Sequence, residues 1–304
     1  MPPSKNSLYR DRIFGDDQTP PKTRTTKTVD NMATYETEGY PFNRDALAST
    51  RLNLQHKMWV DSTGYHLHPD VYVPKDALIA DIGCGTGLWA VEVAKSKPDC
   101  RVEAFDLSLA QAPPKEWCPS NVTFGQLDIF APIPAHMQGR YDVVTVRLFI
   151  CVVQSSDPMP LLRNLLSLLR PGGYLQWQET DPSSDKIILA DPSASAPKLQ
   201  ALRAIFNTAG QSWIEDFHTR FEEASAKLVA HDRVWTKKNC LLIKQDITFL
   251  AVRECCANLR VKDAKDEQPA QLEKLAGEAE EECWKLGRGS AIHSEMVTCV
   301  VRKQ

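Results

Sequence analysis

Between residues 77 and 178 the chain alternates short apolar runs with amphipathic stretches. Ala77–Ile82, Arg101–Asp106, Val122–Gln126, Tyr141–Arg147 and Tyr174–Gln178 read as strands. Gly87–Ser96 reads as a helix. A second helix opens at Asp157-Pro158, where Asp caps and Pro takes the first helical position. Its Leu162, Leu165, Leu166 and Leu169 form one apolar face, and Pro171-Gly172-Gly173 stops it. Strands alternating with helices predict a doubly wound α/β fold, in which right-handed crossovers cover both faces of a mostly parallel sheet.

The pattern changes on either side of this window. Residues 1–30 show no period, which predicts a disordered leader. Residues 31–75 form an N-terminal helical cap, with Asn43 as helix cap and Leu47, Leu54 and Met58 on the apolar stripe as far as about Trp59. Arg51 and Gln55 fall within or beside that stripe. They either extend to solvent over apolar neighbours or face a polar ligand. Residues 76–182 form the core. After 182 the rhythm fails: a polar run leads to a helical stretch from Leu199 to Leu228, within a segment 183–228. Residues 229–304 return to the core, with Val229–Trp235 and Met296–Val301 as strands and helices over 242–260 and 269–286.

Composition narrows the function. With 42% apolar and 25% charged residues, the chain supports a sizeable core. A formal charge of −3 argues against general attraction to nucleic acid or acidic membrane. The best apolar run, Val143–Val153, is broken by Arg147, so no membrane-spanning helix is expected. The segment MPPSKNSLYRDR carries no apolar secretory core. The nine cysteines include no CxxC pair, which predicts a reducing, cytoplasmic setting.

The strongest chemical signal is Asp81-Ile82-Gly83-Cys84-Gly85-Thr86-Gly87, between a strand and a helix. Glycines there let backbone approach a ligand closely. Position 88 is Leu and no phosphate-loop Lys follows, so a nucleoside without phosphates suits the loop better than a dinucleotide. Asp106 ends the second strand, 21 residues after Gly85, where a carboxylate accepts both hydroxyls of a ribose or else caps the next turn. Asp128 follows the third strand, suited to an adenine amino group, with Leu107 or Ile129 flanking the ring.

These residues resemble the class I S-adenosylmethionine-dependent methyltransferases. Asp81 to Gly87 matches the family's glycine-rich loop, Asp106 its ribose acid, and Asp128 its adenine-side acid. Leu169-Arg170-Pro171-Gly172-Gly173-Tyr174 matches the segment before its fifth strand. The resemblance implies a seven-stranded sheet with Met296–Val301 as the antiparallel strand, and S-adenosyl-L-methionine as cofactor. Asp81, Gly83, Cys84, Gly85, Gly87, Asp106, Leu107, Asp128, Ile129 and Arg147 are then the expected contacts. More narrowly, Arg51-Leu52-Asn53-Leu54-Gln55-His56 is similar to small-molecule methyltransferases of fungal secondary-metabolite clusters, of the gliotoxin N-methyltransferase type. That likeness implies that Tyr40, Arg51 and Gln55 cover the cofactor.

The expected substrate is a small, largely apolar metabolite methylated on N or O, with the 183–228 helices as a lid. Phe149, Ile150 and Trp177 either line its pocket or belong to the sheet core. Arg147 stands where catechol-type enzymes carry a magnesium-binding acid, so no metal is expected. His218 and Glu179 are the candidate bases, with Asp181 and His56 behind them. Two other readings stay open. The bound sulfonium assists a cyclisation without methyl transfer, or the chain is a cofactor-binding regulator whose Lys22–Lys27 segment meets a partner.

Overall fold

The computed structural model describes residues 42–153, 157–207, 213–262 and 268–304. Seven strands form one sheet in the order β3-β2-β1-β4-β5-β7-β6. They are β1 (Leu78–Ile82), β2 (Arg101–Asp106), β3 (Val122–Gln126), β4 (Tyr141–Arg147), β5 (Leu169–Leu189), β6 (Ala226–Trp235) and β7 (Ser290–Lys303). The first five are mutually parallel, and β7 runs antiparallel to β5 and β6. This is the doubly wound methyltransferase-type sheet that the sequence pattern predicts. The first four strands lie where the sequence pattern puts them: β1 and most of β4 are buried on both faces and read as apolar runs, while β2 and β3 alternate buried with more exposed positions.

Helix α1 (Ala46–Thr63) precedes the sheet. Asp45, rather than Asn43, caps it by accepting the Ala48 N–H at 2.8 Å, and left-handed Gly64 (φ +90°) ends it. A carboxylate at this end also complements the helix dipole. Helix α2 (Leu88–Ser96) buries Trp89, Ala90, Val93 and Ala94 on one face of the sheet. Helix α3 (Met159–Leu168) buries Met159, Leu161, Leu162, Leu165, Leu166 and Leu168 on the other.

The largest departure lies in β5, expected to stop at Gln178 and in fact continuing to Leu189. Asp181, Ser183 and Ser184 look like turn formers and build a bulge: the Asp181 carboxylate accepts the Ser183 N–H at 3.0 Å. Ser184 Oγ then accepts the Glu295 N–H of β7 at 2.8 Å, and ladder pairing resumes at Lys186–His293. The helical stretch expected over 199–228 divides into α4 (Pro197–Asn207), α5 (Trp213–Asp216) and two short turns before β6. Helix α4 packs with α6 (Leu241–Lys262), α7 (Gln268–Lys285) and the outer half of the β5–β7 ribbon. No described helix is long and apolar enough to cross a membrane.

Candidate functional site

β1 has β2 on one side and β4 on the other, so the carboxyl ends of β1 and β4 flank a topological switch point. The glycine loop emerges there. Gly83 and Cys84 donate N–H bonds of 2.8 and 2.9 Å to the Phe105 carbonyl, folding the loop onto the end of β2. Gly83 (φ +72°) and Gly87 (φ +69°) hold left-handed backbone, and an added Cβ would meet the Phe149 and Phe124 rings respectively. Asp106 braces the loop: Oδ2 accepts the Gly85 N–H at 2.9 Å, while Oδ1 accepts the Ser108 N–H of its own turn at 3.3 Å.

Asp81 lies beneath the loop, 6% exposed. Burial pushes its carboxyl up to about 7, against the pull of Arg147, and Oδ2 has no hydrogen-bond partner. Arg147 ends β4 on the same side of the sheet. Burial lowers its guanidinium to about 10, while Asp81 and Glu92 support the charge. Its Nη2 donates to His56 Nδ1 at 3.0 Å, its Nη1 has no partner, and the Trp59 ring lies 5.9 Å from the guanidinium carbon. Trp59 Nε1 is also buried without a partner.

Helix α1 closes over this corner. Asn53 Oδ1 accepts the Thr86 hydroxyl at 2.7 Å, and a Cβ on Gly85 would stand 3.3 Å from Leu52. Arg51 is engaged elsewhere: its Nε and Nη2 pair with Glu254 of α6 at 2.8 and 3.2 Å. Gln55 accepts from Arg51 Nη1 at 3.5 Å. The loop is thus tied to the end of β2 and to α1, and α1 in turn to α6.

Residues 73–232, just over half of the chain, match a family model described as a methyltransferase domain. The chain belongs to that methyltransferase family. It is 33% identical over 144 residues to methyltransferase grgD of a Penicillium species, covering 44% of this chain and 50% of that protein. It is 32% identical over 143 residues to the protein-methionine methyltransferase laeA of Emericella nidulans, covering 45% and 35% of the two chains. The chain spans about half the length, or less, of these relatives. A solved methyltransferase from Thiobacillus denitrificans with bound S-adenosyl-L-homocysteine aligns over 87% of this chain and 94% of that one, at 15% identity and TM-score 0.43.

The loop end of the sheet gathers most of the residues singled out in the sequence. Asp81, Gly83, Cys84, Gly85, Gly87, Asp106 and Arg147 surround the loop. Asp128 stands exposed at the rim, where its Oδ1 accepts the Phe130 N–H at 2.9 Å. Ile129 is buried in the α3-side core, 4% exposed, whereas Leu107 is half-buried. Tyr40 lies outside the described residues. Glu179 accepts the Phe149 and Ile150 N–H groups at 2.8 and 3.2 Å and the Trp177 indole at 2.7 Å. Burial outweighs these donors and pushes its carboxyl up to about 8. Glu179 therefore braces the turn that lays Phe149 against Gly83. Trp177 sits in an aromatic core cluster with Trp213 and Phe217, its centroids 5.9 and 4.7 Å from theirs.

His218 is not part of this group. It stacks on His231 of β6 at 4.1 Å, and His231 stands in line with Cys299, Trp177 and Val146 across the sheet. Three strand spacings separate it from β4, roughly 14 Å. Two residues the motif reasoning passed over, Trp59 and Glu92, join the group around Arg147, and His56, expected only as a spare base, bridges Arg147 and Glu92. A glutamate inside the otherwise apolar LWAVEVA helix was the one available hint.

Proposed function

We propose that this methyltransferase binds S-adenosyl-L-methionine over the Gly83–Gly87 loop and methylates a nitrogen or oxygen of a small, largely apolar metabolite. We place it in fungal natural-product biosynthesis, in a reducing, cytoplasmic setting. The observation that carries the cofactor reading is the pair of buried, unpartnered atoms Asp81 Oδ2 and Arg147 Nη1. An acceptor on a carboxylate and a donor on a guanidinium suit the ammonium and carboxylate of an amino-acid head. Asp106 keeps lone pairs for a ribose, and Leu107 and Asp128 fall on the adenine side.

When bound, the cofactor supplies an electrophilic methyl group on a sulfonium. The chain aligns the acceptor and keeps water away, and alignment alone contributes roughly 7–11 kcal/mol of barrier lowering. Phe149 and Ile150, held by Glu179, form one wall beside Gly83. No base is assigned: Glu179 is taken up by three N–H donors and His218 is remote. A second reading, in which the acceptor is a protein side chain, is favoured by the likeness to the protein-methionine methyltransferase laeA.

Calorimetric titration with S-adenosyl-L-homocysteine tests the cofactor reading. Wild type binds, and Asp81→Asn binds about tenfold to a hundredfold more weakly, since a charge-assisted hydrogen bond contributes about 1.5–3 kcal/mol. A folded wild-type chain that binds neither the cofactor nor this product removes the proposal. Mass spectrometry with candidate metabolites tests the rest. A rearranged product with the cofactor intact selects cyclisation, and methylation of protein alone selects the second reading.

A further inference from the structure

His56 Nε2, His66 Nε2 and Glu92 Oε2 lie within 4.8 Å of one another, close enough to surround a metal ion. Proton positions decide what the cluster is. Arg147 can only donate, so the His56 Nδ1 that lies 3.0 Å from its Nη2 must accept. The single proton of the neutral ring then sits on Nε2, which donates to Glu92 Oε2 at 2.8 Å. The same oxygen meets His66 Nε2 at 2.6 Å. Burial, aided by Arg147, pushes His56 down to about 4, so the ring stays neutral. A metal-bound imidazole instead donates its second N–H to an acceptor. Here a guanidinium N–H fills that place, so the polarity is wrong for a metal and right for a directed chain of hydrogen bonds.

That chain runs from Glu92 on α2, through His56 on α1, to Arg147 at the end of β4. It holds one amine of the guanidinium and leaves the other, Nη1, buried without a partner. We propose that His56, fixed by Glu92 with its proton on Nε2, is a positioning residue that aims Arg147 Nη1 at the carboxylate of the ligand's amino-acid head. This rests on the cofactor reading above and says how the head is selected. An arginine side chain has many rotamers, and Nη2 has no hydrogen-bond partner besides His56. Without that acceptor, no hydrogen bond among the described residues fixes the fork, and only the longer-range pull of Asp81 and Glu92 and the Trp59 ring remain.

Two ligands and two substitutions test the assignment. S-adenosyl-L-homocysteine carries the amino-acid head, while 5′-methylthioadenosine has the same nucleoside without it. His56→Asn keeps an oxygen near the Nδ1 position and gives up Glu92. His56→Gln keeps an N–H near Nε2 and gives up the acceptor facing Arg147. Calorimetry is expected to show that His56→Gln weakens S-adenosyl-L-homocysteine about tenfold or more, the scale of one charge-assisted hydrogen bond. It leaves 5′-methylthioadenosine within about twofold, and His56→Asn stays near wild type for both ligands. Equal losses for both ligands, or equal losses in both variants, make His56 structural only and overturn the proposal. So does unchanged affinity in His56→Gln. If wild type binds 5′-methylthioadenosine as tightly as S-adenosyl-L-homocysteine, the positioning role falls while the cofactor reading stands. If wild type binds neither, both fall. The tautomer is measured independently in the wild-type chain. Ring 15N shifts are expected to show a protonated Nε2 and a bare Nδ1 at His56 from about pH 5 to pH 8, and the opposite tautomer overturns the proposal without any variant.

Discussion

The two faces of the same five parallel strands are built on different physics. On the α3 face, Val144 and Val146 of β4 pack with Ile82, Leu162, Leu165 and Leu175 into one apolar cluster. On the opposite face, Ile79, Val102 and Val143 also pack into an apolar cluster under α2, but toward the carboxyl ends and into β5 the buried residues turn polar: Asp81, Thr145, Gln176 and Gln178, all 6% exposed or less. Apolar burial is non-directional and asks only for volume. Buried polar groups each require a partner of the right kind, and Gln176 finds two, taking the His68 N–H at 2.6 Å and giving its own N–H to the His66 carbonyl at 2.8 Å. Among the buried polar atoms without a partner, those of Asp81, Arg147 and Trp59 meet at the loop end of the sheet. Both faces bury apolar residues, and the polar groups gather on one of them, beside the glycine loop.

That division is broken hardest on the polar side, at the Arg51–Glu254 pair, whose side chains are 4% and 1% exposed. Glu254→Ala leaves a buried guanidinium unpaired and is expected to cost about 3–5 kcal/mol in denaturant midpoint analysis. The double variant Arg51→Met/Glu254→Leu should recover most of the loss, because no charge is then stranded. Leu165→Ala on the apolar face is expected to cost about 2–5 kcal/mol. It should leave the affinity of the folded fraction for S-adenosyl-L-homocysteine unchanged, whereas a proportional loss of binding would merge the two faces.

The most gradual effect comes from Glu179, the acid on the apolar face. Its folded value of about 8 lies above its ordinary 4.5. Its contribution to stability is therefore full below the ordinary value and lost as pH rises through the folded one. One proton gives a slope of at most about 1.4 kcal/mol per pH unit across that window. Asp81, raised to about 7, adds a second such slope at lower pH. Urea midpoints of Glu179→Gln, read across the window, should fall less steeply with pH than those of wild type, and an identical slope would show that the Glu179 carboxyl is ionised throughout.

Strands β1 to β4 and the glycine loop were legible along the chain: β1 and β4 read as apolar runs, β2 and β3 are short segments of alternating burial, and a tight loop needs glycine. The far half of β5 was not. Its Asp-Pro-Ser-Ser-Asp segment has the composition of a turn, and only pairing with β7 makes it a bulge in a ribbon. The polar network was equally hidden, since His56 lies 36 residues from Glu92 and 91 from Arg147. Arg51 shows the same limit: its place beside the apolar stripe was readable, but its partner, 203 residues away, was not.

The separations also set an order of events. The glycine loop, Asp106 and Arg147 belong to a stretch of local βαβ contacts that closes early. Helix α1 and the segment after it precede that stretch, yet they are held by Glu254 and, through the Tyr65 hydroxyl, by Thr298 of β7 at 3.2 Å. Contacts that close such long loops form late in folding and are first to release in partial unfolding. The cover over the glycine loop is thus the part held by the longest-range contacts, and in native-state hydrogen exchange α1 is expected to open at lower free energy than β1 and β4.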